Sequence, residues 1–179
     1  MKRSLLCAAL VLSAFTAFGA SMPAGTHEFR IDLMSDFQSN PGYKSLPVSG
    51  GVGYFFADNL EGGLYVSWRQ TQWDSFWGKD STLGVGLFGE YDFGSDSILH
   101  PFVTARAGAL GGHEHDDKVA QLAGGGGARV FLTETFSLSA TVELEWSNKD
   151  IYNFKRVSLT EGEGDKTDVF ASVGARLLF

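Results

Sequence analysis

Two short stretches hold residue types that do chemistry. Gly112-His113-Glu114-His115-Asp116-Asp117 sets two imidazoles one residue apart among carboxylates, a donor set that suits a divalent metal. The stretch presets no coordination geometry, and polar residues of this kind also fill solvated loops. His113 and His115 are therefore weak candidate ligands, and no metal or other cofactor is expected. Glu145-Trp146-Ser147-Asn148 offers a serine hydroxyl, but a serine without a base is not an activated nucleophile. The glycine run from Gly124 to Gly127 lacks a phosphate-binding pattern and reads as close packing or curvature within a strand. No catalytic residue is assigned.

A larger set of charges is spread along the whole chain: Arg30, Arg69, Arg106, Arg129 and Arg176, with Glu28, Asp32, Glu61, Glu90, Asp92, Glu143, Glu145 and Asp168. Each falls on the polar side of a two-residue alternation. Successive side chains of a β-strand point to opposite faces, so such an alternation marks a strand with one apolar face. In Lys166–Phe179 the apolar set is Val169, Ala171, Val173, Ala175, Leu177 and Phe179, and the other set holds Asp168 and Arg176. The same split recurs over Glu28–Phe37, Val48–Ala57, Leu60–Gln70, Leu83–Phe93, Leu99–Leu110, Ala120–Leu132 and Phe136–Ser147. Eight strands are predicted. The connections after the second, fourth and sixth are short. Those over Gln38–Pro47, Thr71–Thr82, Gly111–Val119 and Asn148–Glu163 are longer. Short turns at the end holding both termini fit an up-and-down barrel with an even number of strands.

The chain opens with Lys2 and Arg3, an apolar stretch from Leu5 to Phe15 and a small-residue end, the pattern of a secretory signal peptide. Residues 1–20 are read as a cleaved leader and 21–179 as one domain. Cys7 is the single cysteine and lies within the leader, so the exported chain is expected to hold no disulfide. The formal charge of −7, made more negative by losing Lys2 and Arg3, argues against a nucleic-acid partner. No other apolar run suffices for a membrane helix, so a spanning chain must cross as strands.

A soluble barrel with an apolar interior would show the same alternation. The polar face points to the opposite arrangement. Within the predicted strands, apart from Lys166 at the start of the last one, it carries arginine and no lysine, and arginine is suited to oriented, paired hydrogen bonds with carboxylates. Its glycines leave room for long side chains in a narrow lumen, and Phe55, Tyr65, Phe88, Phe102, Phe131 and Phe170 add bulk. His100 is read as a member of this network. On the apolar face, Tyr54, Phe56, Tyr91, Phe93, Phe136 and Phe179 gather near the short-turn end, and Trp68 and Trp146 near the other. Two aromatic belts are expected of a spanning barrel. Lipid tolerates no bare sheet edge, so strand eight must pair with strand one. The predicted fold is an all-β, eight-stranded antiparallel up-and-down transmembrane β-barrel whose lumen is filled by an arginine–carboxylate network.

With Gly53-Tyr54-Phe55-Phe56-Ala57-Asp58-Asn59-Leu60-Glu61 around a short turn, Pro101-Phe102-Val103 opening a strand and a terminal strand ending on Phe179, the whole mature chain resembles the small eight-stranded outer-membrane barrels of the OmpA transmembrane-domain and OmpX type. The resemblance implies location in the outer membrane of a Gram-negative bacterium, as a monomer. It implies contact with membrane lipid and lipopolysaccharide, and recognition of the last strand by the outer-membrane assembly machinery. These barrels share shape while differing in role. A structural or surface-interaction role in the cell envelope is expected, with a narrow ion or small-solute channel as the alternative. Outer-membrane lipid A deacylases carry a histidine two residues before their serine. Glu145 holds that place here, which disfavours lipid A modification. The long connections carry Trp73, Phe76, Trp77 and Lys79, and Tyr152, Phe154, Lys155, Arg156 and Val157, side chains suited to an outer aromatic rim or to surface contacts.

Overall fold

The computed structural model describes residues 22–36, 43–73, 79–93, 98–112, 115–148 and 167–179. Eight strands follow one another: β1 (His27–Asp36), β2 (Tyr43–Ala57), β3 (Leu60–Trp73), β4 (Lys79–Asp92), β5 (Leu99–Gly112), β6 (His115–Phe131), β7 (Phe136–Ser147) and β8 (Thr167–Leu178). Each pairs antiparallel with its neighbours, and β8 returns to β1 to close the barrel. At the seam the main chains of His27 and Phe179 exchange two hydrogen bonds of 3.0 Å. No backbone edge is left for lipid to cover. Among the described residues no helix is long and apolar enough to cross a membrane.

The alternation of burial is inverted relative to a soluble domain. Leu87 and Val173 are both 61% exposed, whereas Glu28, Glu61 and Arg129 are 0% exposed. The outward faces form a continuous apolar wall that needs a hydrocarbon solvent.

Five strands run further at the long-connection end than the side-chain pattern predicts. β2 begins at Tyr43 rather than Val48, β3 ends at Trp73 rather than Gln70, and β4 begins at Lys79 rather than Leu83. β5 reaches Gly112 and β6 begins at His115. The predicted connection Gly111–Val119 shrinks to residues 113–114. The reason is that the hydrogen-bonded ladder needs only backbone: Tyr43 pairs with Trp73 and Gln72 with Lys79, beyond the reach of the apolar alternation. Lys44, Lys79 and Lys118 thereby fall within strands, in the stretches that the predicted bounds left as connections.

The Asp58-Asn59 turn matches its sequence. Asn59 takes φ 62°, a left-handed conformation that asparagine tolerates better than most residues. In the β6–β7 turn, the Thr133 hydroxyl accepts from the amides of Thr135 and Phe136 at 3.3 and 3.0 Å. This local bonding is what makes threonine a turn former.

Candidate functional site

Polar side chains line the lumen in two layers. The lower layer, near the short turns, draws on five strands. β1 supplies Glu28 and Arg30, β3 Glu61, β4 Glu90 and Asp92, β6 Arg129 and β8 Arg176, and all seven are buried. Arg30 donates to Glu61 at 2.7 Å and to Glu90 at 3.3 Å, and lies 3.1 Å from Glu28. Arg129 donates to Glu28 at 2.8 Å and to Glu90, and its Nε lies 3.1 Å from Asp92 Oδ1. Arg176 donates to Glu90, and to the Ser139 hydroxyl at 3.1 Å.

Strand pairing alone would make this layer repulsive. Glu61 stands directly opposite Glu90, and Arg30 directly opposite Arg176 at the closing seam. Like charges opposite one another destabilise a sheet. Here each like pair shares a counterion: Arg30 bridges the two glutamates, and Glu90 accepts from both arginines. Aromatic rings complete the shell. The Arg30 guanidinium sits 3.8 Å from the centre of the Phe88 ring, and that of Arg176 4.7 Å from Phe102, within cation–π range.

The upper layer is smaller and wetter. Arg106 on β5 donates to Glu143 and, at 3.0 Å, to Glu145 on β7. Gln121 on β6 donates to Glu145 at 2.7 Å, and Arg69 on β3 reaches it at 3.5 Å. The Arg69 side chain is 21% exposed and lies over Phe170. Between the layers is a cavity of about 20 Å³, lined in part by Asp32, Ser49, Thr104, Thr141 and Ser172. That is room for about one water molecule.

Glycines set how closely this packing approaches the wall. A β-carbon at Gly53 would lie 1.7 Å from Glu61 Oε1, and one at Gly174 2.0 Å from Asp32 Oδ1. One at Gly127 would lie 2.7 Å from the Phe102 ring. At these three positions a lumen side chain occupies volume that the neighbouring strand vacates.

The other expected residues divide as follows. Tyr54, Phe56, Trp68, Tyr91, Phe93, Trp146 and Phe179 are exposed on the outer wall, and Phe136 is half-buried. His100 is buried edge-on against Phe131, 4.9 Å between ring centres. Ser147 is fully buried, facing inward like Glu145. Of Asp168 the structure describes the backbone, opposite Glu145. His115 opens β6 with its side chain outside the described residues. His113, Phe76, Trp77, Tyr152, Phe154, Lys155, Arg156 and Val157 lie outside them entirely. Among the described residues no group of three or more His, Cys, Asp or Glu side chains forms a metal site.

Sequence reasoning missed two participants. Gln121 carries no charge to draw attention, although its inward parity was legible. Met22 precedes the first strand, where no alternation reaches, yet it is fully buried and accepts a hydrogen bond from Arg129 at 3.3 Å.

No protein-family model matches the chain, and no curated protein does. Solved structures do. The N-terminal β-barrel domain of Pseudomonas aeruginosa OprF aligns over 87% of this chain and 98% of its own, with 18% identity and TM-score 0.58. The outer membrane protein OprG from Pseudomonas aeruginosa aligns over 88% and 97%, with 14% identity and TM-score 0.55. Neisserial surface protein A aligns over 92% and 99%, with 15% identity and TM-score 0.52. At such identities the likeness is one of fold. The chain has the architecture of a small eight-stranded outer-membrane β-barrel.

Proposed function

We propose that the protein, after loss of residues 1–20, is a monomeric barrel of a Gram-negative outer membrane. Its lumen is closed to solutes, and it serves as a structural or surface-interaction element of the envelope. The observation that carries this reading is the inverted barrel: an apolar exterior around a lumen in which buried guanidiniums pair with buried carboxylates. Its lipid-facing wall meets acyl chains, its outer rim meets lipopolysaccharide, and β8 is the strand that the assembly machinery engages. Against lipid A hydrolysis stands the burial of Ser147 inside the barrel with Glu145, not a histidine, beside it.

The test is fractionation of cells expressing the full chain, followed by gel mobility with and without boiling, then planar-bilayer conductance. An outer-membrane species that shifts only on boiling and conducts nothing above the lipid background is expected. A soluble periplasmic species would overturn the membrane reading. Steady conductance by the wild type would replace the closed lumen with the second reading, a narrow channel, which the exposure of Arg69 at the upper end favours.

A further inference from the structure

What stops the barrel at its short-turn end is not a strand. Residues 22–26 fold beneath it. Met22 packs against Phe55, Phe131 and Leu178 and caps Arg129 of the lower layer. Among the described residues, the main chain of the segment is tied to one side only. Asn59 N donates to Met22 O at 3.0 Å, Gly25 N to Phe55 O at 2.7 Å, and Phe55 N to Thr26 O at 2.9 Å. Ala24 N donates to Asp58 Oδ1 at 3.0 Å. Gly25 turns the chain at φ 95°, a conformation open chiefly to glycine. Every one of these bonds goes to β2 or to the β2–β3 turn. The far wall, β6 and β8, holds the segment through side chains alone.

We propose that Met22–Thr26 is a lid, hinged on the β2–β3 turn, which seals the lower mouth against water and small ions. A second observation gives the lid a reason to open. Glu61 Oε1 and Asp92 Oδ2 are buried behind it without a hydrogen bond, and buried oxygens left unsatisfied favour the entry of water. Behind the lid stand the carboxylates of Glu28, Glu61, Glu90 and Asp92 against the guanidiniums of Arg30, Arg129 and Arg176. An opened mouth therefore admits cations more readily than anions. The inference rests on the membrane-barrel reading, but its test has a separate readout.

Ser137 supplies the reporter. It is 1% exposed and pairs with Phe131 and Arg176 on either side, just behind the seal. With Cys7 replaced or removed with the leader, Ser137→Cys carries the one thiol. Its reaction with a small cationic methanethiosulfonate is followed in the folded barrel, with exposed Ala24→Cys as control. Ser137→Cys is expected to react at least tenfold slower than the control. Adding Met22→Gly should recover a tenfold or greater gain, larger for the cationic reagent than for an anionic one. Asp58→Ala, which unties Ala24 without touching the lumen, should give a smaller gain. Retained heat-modifiable mobility shows that each variant still folds as a barrel. Fast labelling with Met22 in place, or no gain in either variant, overturns the lid. Equal gains with both reagents overturn the preference for cations.

Discussion

The lower and upper layers of the lumen use the same groups and differ in water. In the lower layer, Arg129, Glu28 and Glu61 are fully buried, and Glu90 accepts from three guanidiniums. In the upper layer, the side chains of Arg69 and Arg106 are 21% and 11% exposed. Coulomb attraction strengthens as water is excluded, and so does the penalty for leaving one partner behind. Identical chemistry is thus expected to behave as a rigid strut below and as an adjustable, salt-sensitive contact above.

The most severe way to break the lower layer is Arg129→Ala. It takes the Arg129 guanidinium from Asp92 and one counterion each from Glu28 and Glu90, and the loss expected for breaking a buried pair is about 3–5 kcal/mol. Urea unfolding from lipid vesicles, followed by tryptophan fluorescence, would measure it. Arg106→Ala leaves Glu145 its contacts with Gln121 and Arg69, and roughly half that loss is expected on the same assay. Equal losses from the two substitutions would erase the distinction between layers.

Gly53→Ala probes the lower layer from the wall. Its methyl group would displace the Glu61 carboxylate from Arg30, and overpacking of this kind costs about 1–3 kcal/mol. The double variant with Glu61→Ala should recover part of that. A fully additive double variant would mean that the methyl group strains something other than Glu61.

The smallest effect belongs to Arg69→Ala, at about 0–1 kcal/mol. That loss should shrink further in half-molar salt, because Arg69 is the more exposed end of its pair with Glu145 and is open to screening. The loss from Arg129→Ala should stay nearly constant across the same salt series. Parallel salt dependence would show that water reaches both layers alike.

Much of this was legible from the chain. The two-residue alternation gave the number of strands and the face on which each residue lies. The preference for arginine over lysine on the polar face of the apolar-patterned stretches pointed to a confined polar face. The strand ends were less legible, because Tyr43–Leu46 and His115 join the ladder in stretches that carry no apolar alternation. The partners within the lumen were not legible either. Arg30 meets Glu61 and Glu90 from thirty-one and sixty residues away, and no local pattern encodes that distance.

The sequence by itself determined the sheet, its two faces and its need to close, because each follows from period two and from the cost of an unpaired edge in lipid. Only the tertiary structure decided which carboxylate each guanidinium meets, how the charges divide into a dry and a wet layer, and that Met22 comes back to cover the lower mouth. Those outcomes depend on the register and tilt of the closed barrel, which bring side chains from distant strands to one height in the lumen.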